Sequence, residues 1–90
     1  MIRVHLPVDL ADAFQTPAVL EVGARSLPEM VAALEARYPG VAHWLIGADG
    51  QFRQHLSVFV GGRRVAALDP DTPSLGNGEE VWVLRAVSGG

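Results

Sequence analysis

The stretch SLPEMVAALEARYPG (residues 26–40) decides the fold, because it contains the signals for both ends of one helix. Ser26 followed three residues later by Glu29 is a capping box, in which the hydroxyl and the carboxylate satisfy free amide groups at a helix start. Pro28 falls in the first turn, where no amide donor is needed. The Pro-Gly pair that closes the stretch ends a helix. We therefore predict one long helix within residues 26–40.

The apolar side chains of this predicted helix recur at spacings of three and four, which places them on one stripe. They are Leu27, Met30, Val31, Leu34 and Tyr38. Glu29 near the start and Arg37 near the end suit the helix dipole. The stripe predicts that one face of the helix packs on a hydrophobic core.

Two short strands are predicted ahead of the helix. Ile2, Val4 and Leu6 alternate with polar residues, which is the period of a half-buried strand. Residues 9–16 are interpreted as a loop or turn, and residues 18–22 as a second strand. Together these segments predict an opening hairpin.

A second hairpin is predicted after the helix. Residues 41–46 are interpreted as a short second helix, followed by a turn-rich break at 47–50. Residues 56–60 alternate as a strand does, and the pair Gly61-Gly62 offers the positive φ that a tight turn requires. The partner strand is predicted at residues 63–67.

A last strand is predicted over residues 80–87, after the turn signal Asn77-Gly78. The order strand, strand, helix, strand, strand, strand predicts an α+β fold of the β-grasp type, a mixed sheet of about five strands with one main helix on one face. In this arrangement the first and last strands lie side by side in the middle of the sheet. We place the domain at residues 1–84 and a flexible tail at 85–90.

The predicted tail ends in Val87, Ser88, Gly89 and Gly90. Because the last two residues have no Cβ, such a tail can thread a channel that is too narrow for other side chains. A carboxylate is a poor electrophile until it becomes a mixed anhydride with AMP, which a sulfur or nitrogen nucleophile can then displace. We interpret Gly90 as the site of chemistry and the chain as a substrate and carrier; an inert, frayed terminus is the alternative.

Composition narrows the possible functions. A chain of 90 residues that is 49% hydrophobic and 19% charged predicts one small soluble domain with a single core. The net charge of −3 and the absence of a basic cluster larger than Arg63-Arg64 argue against a nucleic-acid surface. No apolar run is long enough to span a bilayer and no signal peptide begins the chain, so we expect no membrane partner and a cytoplasmic location.

Several kinds of reactive side chain are missing or scattered. Cysteine is absent, which excludes disulfides and thiolate catalysis, and all seven basic residues are arginine. His5, His43 and His55 have neither the spacing nor the carboxylate neighbours of a metal or acid-base site. We therefore expect no metal, no cofactor bound by the domain and no enzymatic activity of its own.

The last strand predicts an apolar patch beside the tail. If Val81 and Val83 face the core, then Trp82 and Leu84 face the opposite side of the sheet, and Phe59 joins them by the same alternation. Exposed aromatic patches usually mark interaction sites. We interpret the patch as a partner-binding surface; the alternative is that the region around Trp44, or a loop, folds over it.

Three arginines are predicted to border this patch and to pair with acidic groups of a partner. They are Arg63, Arg64 and Arg85, of which Arg85 is placed in the partner-binding set with the apolar residues. Solvated surface arginine is the alternative for all three.

The segment LGNGEEVWVLRAVSGG (residues 75–90) resembles the ubiquitin-like sulfur-carrier family in its turn, acidic residue, apolar strand and Val-x-Gly-Gly ending. The family includes the small subunit of molybdopterin synthase, the thiazole-synthesis sulfur carrier and the carrier of a thiocarboxylate route to cysteine. The resemblance extends over essentially the whole chain. The segment LEARYPG (residues 34–40) and the insertion at 44–56 resemble the cysteine-route carrier and longer molybdopterin-type members. The pair Arg85-Ala86 stands where the molybdopterin subunit commonly has Pro-Pro.

This resemblance implies a cycle run by partner enzymes. An ATP-dependent adenylyltransferase and sulfurtransferase of the ubiquitin-activating superfamily adenylates Gly90, and a sulfur donor converts the adenylate to a thiocarboxylate. A sulfur-accepting synthase then receives the sulfur, with a metal-dependent peptidase as a further partner on the cysteine route. The alternatives are a molybdopterin synthase small subunit, a ubiquitin-like modifier of target lysines, and a binding module with an inert tail.

Overall fold

The computed structural model describes residues 1–65, 68 and 75–85. In that part of the chain the elements are, in order, β1 (Ile2–His5), α1 (Val8–Phe14), β2 (Val19–Val22), α2 (Leu27–Arg37), α3 (Val41–Leu45), β3 (Leu56–Val60), β4 (Arg63–Val65) and β5 (Glu80–Arg85). The longest helix there, α2, has 11 residues, and none of the helices described is long and apolar enough to cross a membrane.

The five strands form one mixed sheet in the order β2-β1-β5-β3-β4. The β1 and β5 strands run parallel, and the other neighbouring pairs are antiparallel. The predicted β-grasp architecture is confirmed, including the central position of the first and last strands. The final strand is therefore hydrogen-bonded on both sides.

A single hydrophobic core lies between one face of the sheet and the helices. Alternate residues of the strands point into it, as expected for a sheet with one covered face. From the sheet the core takes Ile2, Val4, Leu20, Val22, Leu56, Val58, Val81 and Val83, and from the helices Leu10, Leu27, Met30, Val31, Leu34, Val41 and Leu45. All three described helices contribute to this core. The opposite face, here called the open face, carries the half-exposed side chains of Trp82 and Leu84 and is not covered by any described helix.

The main helix begins and ends as predicted. The hydroxyl of Ser26 accepts a hydrogen bond from the amide of Glu29 at 3.2 Å. The Glu29 carboxylate accepts from the amide of Arg25 at 3.2 Å, one residue before the capping residue that a capping box would reach. Met30 and Leu34 are fully buried. Tyr38 is the C-cap and is only partly buried.

The loop or turn predicted over residues 9–16 is wrong, because this segment forms most of α1. Leu10 is fully buried and Phe14 packs against the core, four residues apart on one helix face. Gln15 ends the helix in a left-handed conformation with φ 54°. Seven residues give too short a stripe for its period to stand out in the sequence. The predicted pairing of β1 with β2 is right, but α1 connects the two strands.

The remaining elements lie where the sequence predicts them, with small differences in their bounds. The short helix α3 is confirmed, and Gly61 and Gly62 adopt φ 56° and 84° at the turn between β3 and β4. The β4 strand ends at Val65, and the predicted continuation at 66–67 lies outside the described residues. Arg85, expected as the first tail residue, is the last residue of β5.

Glu35 joins α2 to α3 through backbone amide groups. Its carboxylate accepts hydrogen bonds from the amide of Gly40 at 2.9 and 3.1 Å and from that of Ala42 at 2.8 Å. These bonds favour the ionised form, so they hold the pKa of the Glu35 carboxyl below its ordinary value. The contact fixes the angle between two helices that cover the core.

Candidate functional site

The base of the predicted tail is anchored from three directions. The β5 strand pairs with β1 on one side and with β3 on the other, where Arg85 lies opposite Leu56. The guanidinium of Arg85 also forms an ion pair with Asp9 in the first turn of α1. The chain therefore reaches its last described residue while still held by the folded domain.

The residues predicted to enter a partner active site, Val87, Ser88, Gly89 and Gly90, lie outside the described residues. Their roles stay predictions. The five residues at 86–90 would span roughly 17 Å if fully extended, because each residue adds at most about 3.5 Å. That reach is enough to enter a cleft on another protein.

The predicted alternation along β5 is confirmed. Val81 and Val83 are 0% and 1% exposed, whereas Trp82 and Leu84 are each 43% exposed on the opposite face. Phe59 lies directly opposite Trp82 on β3 and is partly buried. The three side chains predicted as a patch therefore share the open face of the sheet.

The register extends this patch into a row that crosses all five strands. The row, here called the cross-sheet row, takes one residue from each strand in spatial order: Val19, His5, Trp82, Phe59 and Arg64. Leu84 lies one step closer to the tail, opposite Ser57. The row thus has an apolar end, an aromatic centre and a cationic end.

His5 is part of the site, although sequence reasoning assigned it no chemistry. Its ring stacks on that of Trp82 with centroids 3.5 Å apart and planes 5° from parallel. Its Nε2 lies 2.7 Å from Oε1 of Glu80, so the three side chains form one cluster. The alternation of β1 could have placed His5 on the open face, but its neighbour depends on the register with β5, which local sequence does not specify.

The three arginines predicted to border the patch separate in the structure. Arg64 lies opposite Phe59 on the open face, whereas Arg63 lies opposite Val60 on the helix-covered side. Arg85 also belongs to that side, as its pairing with Asp9 shows. Grouping the three around one patch was therefore wrong, because neighbouring residues of a strand face opposite ways.

The aromatic side chain of the insertion does not cover the open face. Trp44 is a residue of α3 and packs against the core, with its ring centroid 6.1 Å from that of His55 in an edge arrangement. Trp82 and Leu84 keep their exposure. The alternative that the region around Trp44 folds over the patch is therefore wrong.

Metal-ligating side chains do not gather into a cluster in the part of the chain that is described. No group of three or more His, Asp or Glu side chains lies close enough together there to hold a metal ion. What the described residues do assemble is a partly exposed row of side chains on one sheet face, beside an anchored tail base.

Comparison with known proteins gives one significant sequence relative. No protein-family model matches the chain. Small archaeal modifier protein 3 of Haloferax volcanii is 39% identical over 62 residues, which are 69% of this chain and 66% of that protein. The match thus spans just under two thirds of the relative's length.

Solved structures share the fold over nearly the whole chain. The CysO complex with BexX from Amycolatopsis orientalis matches with a TM-score of 0.84 at 20% identity, covering 100% of both chains. CysO of Mycobacterium tuberculosis matches at 0.83 and 21%, covering 97% of this chain and 100% of its own. Small archaeal modifier protein 1 of Methanosarcina acetivorans matches at 0.75 and 18%, covering 99% and 95%.

At these identities the structural matches establish the β-grasp fold. The match to small archaeal modifier protein 3 adds similarity in sequence. The relatives include two proteins named as small archaeal modifier proteins. The expected family resemblance is confirmed: in its fold and in its sequence relative the chain is similar to the ubiquitin-like sulfur-carrier family.

Proposed function

We propose that this chain carries sulfur as a thiocarboxylate on Gly90 and donates it to a biosynthetic acceptor. The observation that carries the proposal is the position of β5. This strand is central in the sheet, is held on both sides and by the Asp9–Arg85 ion pair, and ends five residues before Gly90. A rigid domain of this kind presents a short glycine-ended tail to an enzyme active site.

The proposed cycle uses reagents supplied by partners. A carboxylate oxygen of Gly90 attacks the α-phosphorus of ATP bound to the activating enzyme, and pyrophosphate leaves. A sulfide nucleophile then attacks the acyl carbon and displaces AMP, which leaves a thiocarboxylate. Its sulfur attacks an electrophilic carbon of the acceptor and displaces the leaving group on that carbon, which gives a thioester. Water then attacks the acyl carbon of the thioester, which releases the acceptor as a thiol and restores the carboxylate. The domain supplies no catalytic side chain, and the use of ATP places the cycle in the cytoplasm.

The cross-sheet row and Leu84 are the proposed docking surface for the activating enzyme and then for the sulfur-accepting synthase. Trp82 is its natural anchor, because half-exposed aromatic side chains contribute much of the binding free energy at interfaces. Any contact that Arg85 makes with a partner is separate from this surface, because Arg85 lies on the other face of the sheet at the tail base.

Cysteine is the proposed product of the route. The pair Arg85-Ala86, in place of Pro-Pro, supports the cysteine route over the molybdopterin one. The fold shared with two CysO structures agrees with this choice. A metal-dependent peptidase that releases the product is the further partner proposed for this route.

The test is the intact mass of the chain after incubation with a ubiquitin-activating-type enzyme, ATP and sulfide. We expect replacement of one oxygen by sulfur, dependent on ATP. The matched control is the variant that lacks Gly89 and Gly90, which keeps every described residue. No mass change in the full chain, under conditions where the enzyme activates another carrier, would overturn the proposal.

A second candidate function is protein modification, which the 39% identity to small archaeal modifier protein 3 favours. In that case the activated Gly90 forms an amide with a target lysine. Because trypsin cleaves after Arg85, the remnant on the target would be AVSGG (residues 86–90). Recovery of lysine peptides bearing this remnant from cells would support modification, and recovery of none under oxidative stress would count against it.

A further inference from the structure

The cluster of His5, Glu80 and Trp82 has a geometry that a solvated surface does not require. Glu80 and Trp82 are two residues apart on β5 and so share one face, and His5 sits beside Trp82 on the parallel strand β1. The imidazole lies flat on the indole at 3.5 Å while its Nε2 meets the Glu80 carboxylate at 2.7 Å. His5 is only 15% exposed at its side chain, against 48% for Glu80.

The hydrogen bond to Glu80 and the stacking on Trp82 each restrict rotation of the His5 imidazole. The stacked imidazole in turn restricts rotation of the Trp82 indole. The Glu80 carboxylate fixes one edge of the His5 ring, and the stacked ring in turn covers one face of Trp82. Immobilising a free side chain at an interface costs binding free energy, so an anchor that is already held binds more tightly. His5 would act through Trp82 and not through any contact with the tail.

We propose that His5 and Glu80 are positioning residues that hold the indole of Trp82 ready for the activating enzyme. The inference rests on the proposed function for the identity of the partner. The orientation of the indole in the free chain is independent of that partner.

The two contacts can be removed separately. His5→Ala removes both the stacking and the hydrogen bond, His5→Phe keeps a ring for stacking, and Glu80→Ala removes only the bond to the carboxylate. Arg3→Ala is the matched control, because Arg3 is exposed on the same face of β1 and lies opposite Glu80, not Trp82.

The first measurement is made on the free chain, by NMR of the indole N–H of Trp82, assigned through its loss in Trp82→Phe. We expect His5→Ala to shift and broaden this signal, His5→Phe to preserve most of its line shape, and Arg3→Ala to leave it unchanged. An unchanged signal in His5→Ala would overturn the inference, whatever the partner.

The second measurement is the dependence of adenylation on the concentration of the chain. We expect His5→Ala to raise KM about 3- to 10-fold at unchanged kcat, with His5→Phe closer to wild type. An unchanged KM in His5→Ala, or a loss confined to kcat, would also overturn the inference. If wild type is not adenylated at all, the proposed function fails, and the NMR signal alone decides whether His5 positions the indole.

Discussion

Glu35 binds two backbone amides of the next helix with a single carboxylate, and this contact makes stability depend on pH. The amides of Gly40 and Ala42 hydrogen-bond the ionised carboxylate and lower its pKa in the folded chain. A lowered folded pKa stabilises the domain above the ordinary carboxyl pKa, and this contribution is lost as pH falls through the lowered pKa.

We predict that Glu35→Gln destabilises the domain at neutral pH and loses part of the decline in stability toward acid. The measurement is the free energy of unfolding in urea from neutral pH to about pH 3. The control is Glu21→Gln, at an exposed position of β2. Equal pH profiles of Glu35→Gln and wild type would contradict the role given to the carboxylate.

Ser26 provides a second prediction on a single side chain. Its hydroxyl satisfies the amide of Glu29, so Ser26→Ala should lower the free energy of unfolding by about 1 kcal/mol. Ser26→Gly is the matched comparison, because glycine at a helix N-cap costs only a few tenths of a kcal/mol relative to serine. Urea unfolding of both variants measures whether the alanine variant is the less stable of the two. An alanine variant as stable as wild type would show that the cap is dispensable.

At the scale of elements, β4 offers a matched pair of like charges on opposite faces of one strand. Arg64 lies on the open face at the end of the cross-sheet row, and Arg63 next to it faces the helix-covered side. Both are exposed, so reversal of either charge should leave the fold intact.

We predict that Arg64→Glu raises KM for the activating enzyme by about 3- to 30-fold, more strongly at low salt, because an acidic partner group would be repelled. Arg63→Glu should change KM less than about 2-fold by the same reasoning. Adenylation kinetics at two salt concentrations measure both. Equal effects of the two substitutions would show that the open face does not receive the enzyme.

Sequence reasoning succeeds for elements whose signals are local. The caps and apolar stripe of α2 lie within residues 26–40, and alternation alone separates Trp82 from Val83. It failed for α1, whose buried face amounts to Leu10 and Ala11. It also failed for the neighbours of His5, because strand register is a contact between distant parts of the chain.

For the whole molecule, the domain and its tail should be separable. The described core is built from residues between Ile2 and Val83, so we predict that deletion of Gly89 and Gly90 leaves the thermal midpoint within about 2 °C of wild type. Adenylation should be abolished, while the shortened chain still competes with the full chain for the enzyme through the open face. Scanning calorimetry tests the retained stability, and competition kinetics test the retained binding to the enzyme. Loss of folding in the shortened chain would contradict the prediction that domain and tail are separable.

The central claim is that sulfur is loaded onto the last residue of this chain. The direct measurement is mass spectrometry of the tryptic peptide AVSGG (residues 86–90) after reaction with the activating enzyme, ATP and isotopically labelled sulfide. We predict that one labelled sulfur replaces one oxygen in this peptide, at Gly90, and that the label is absent without ATP. An unlabelled peptide from a chain that has demonstrably been adenylated, or a label elsewhere in the chain, would contradict the account.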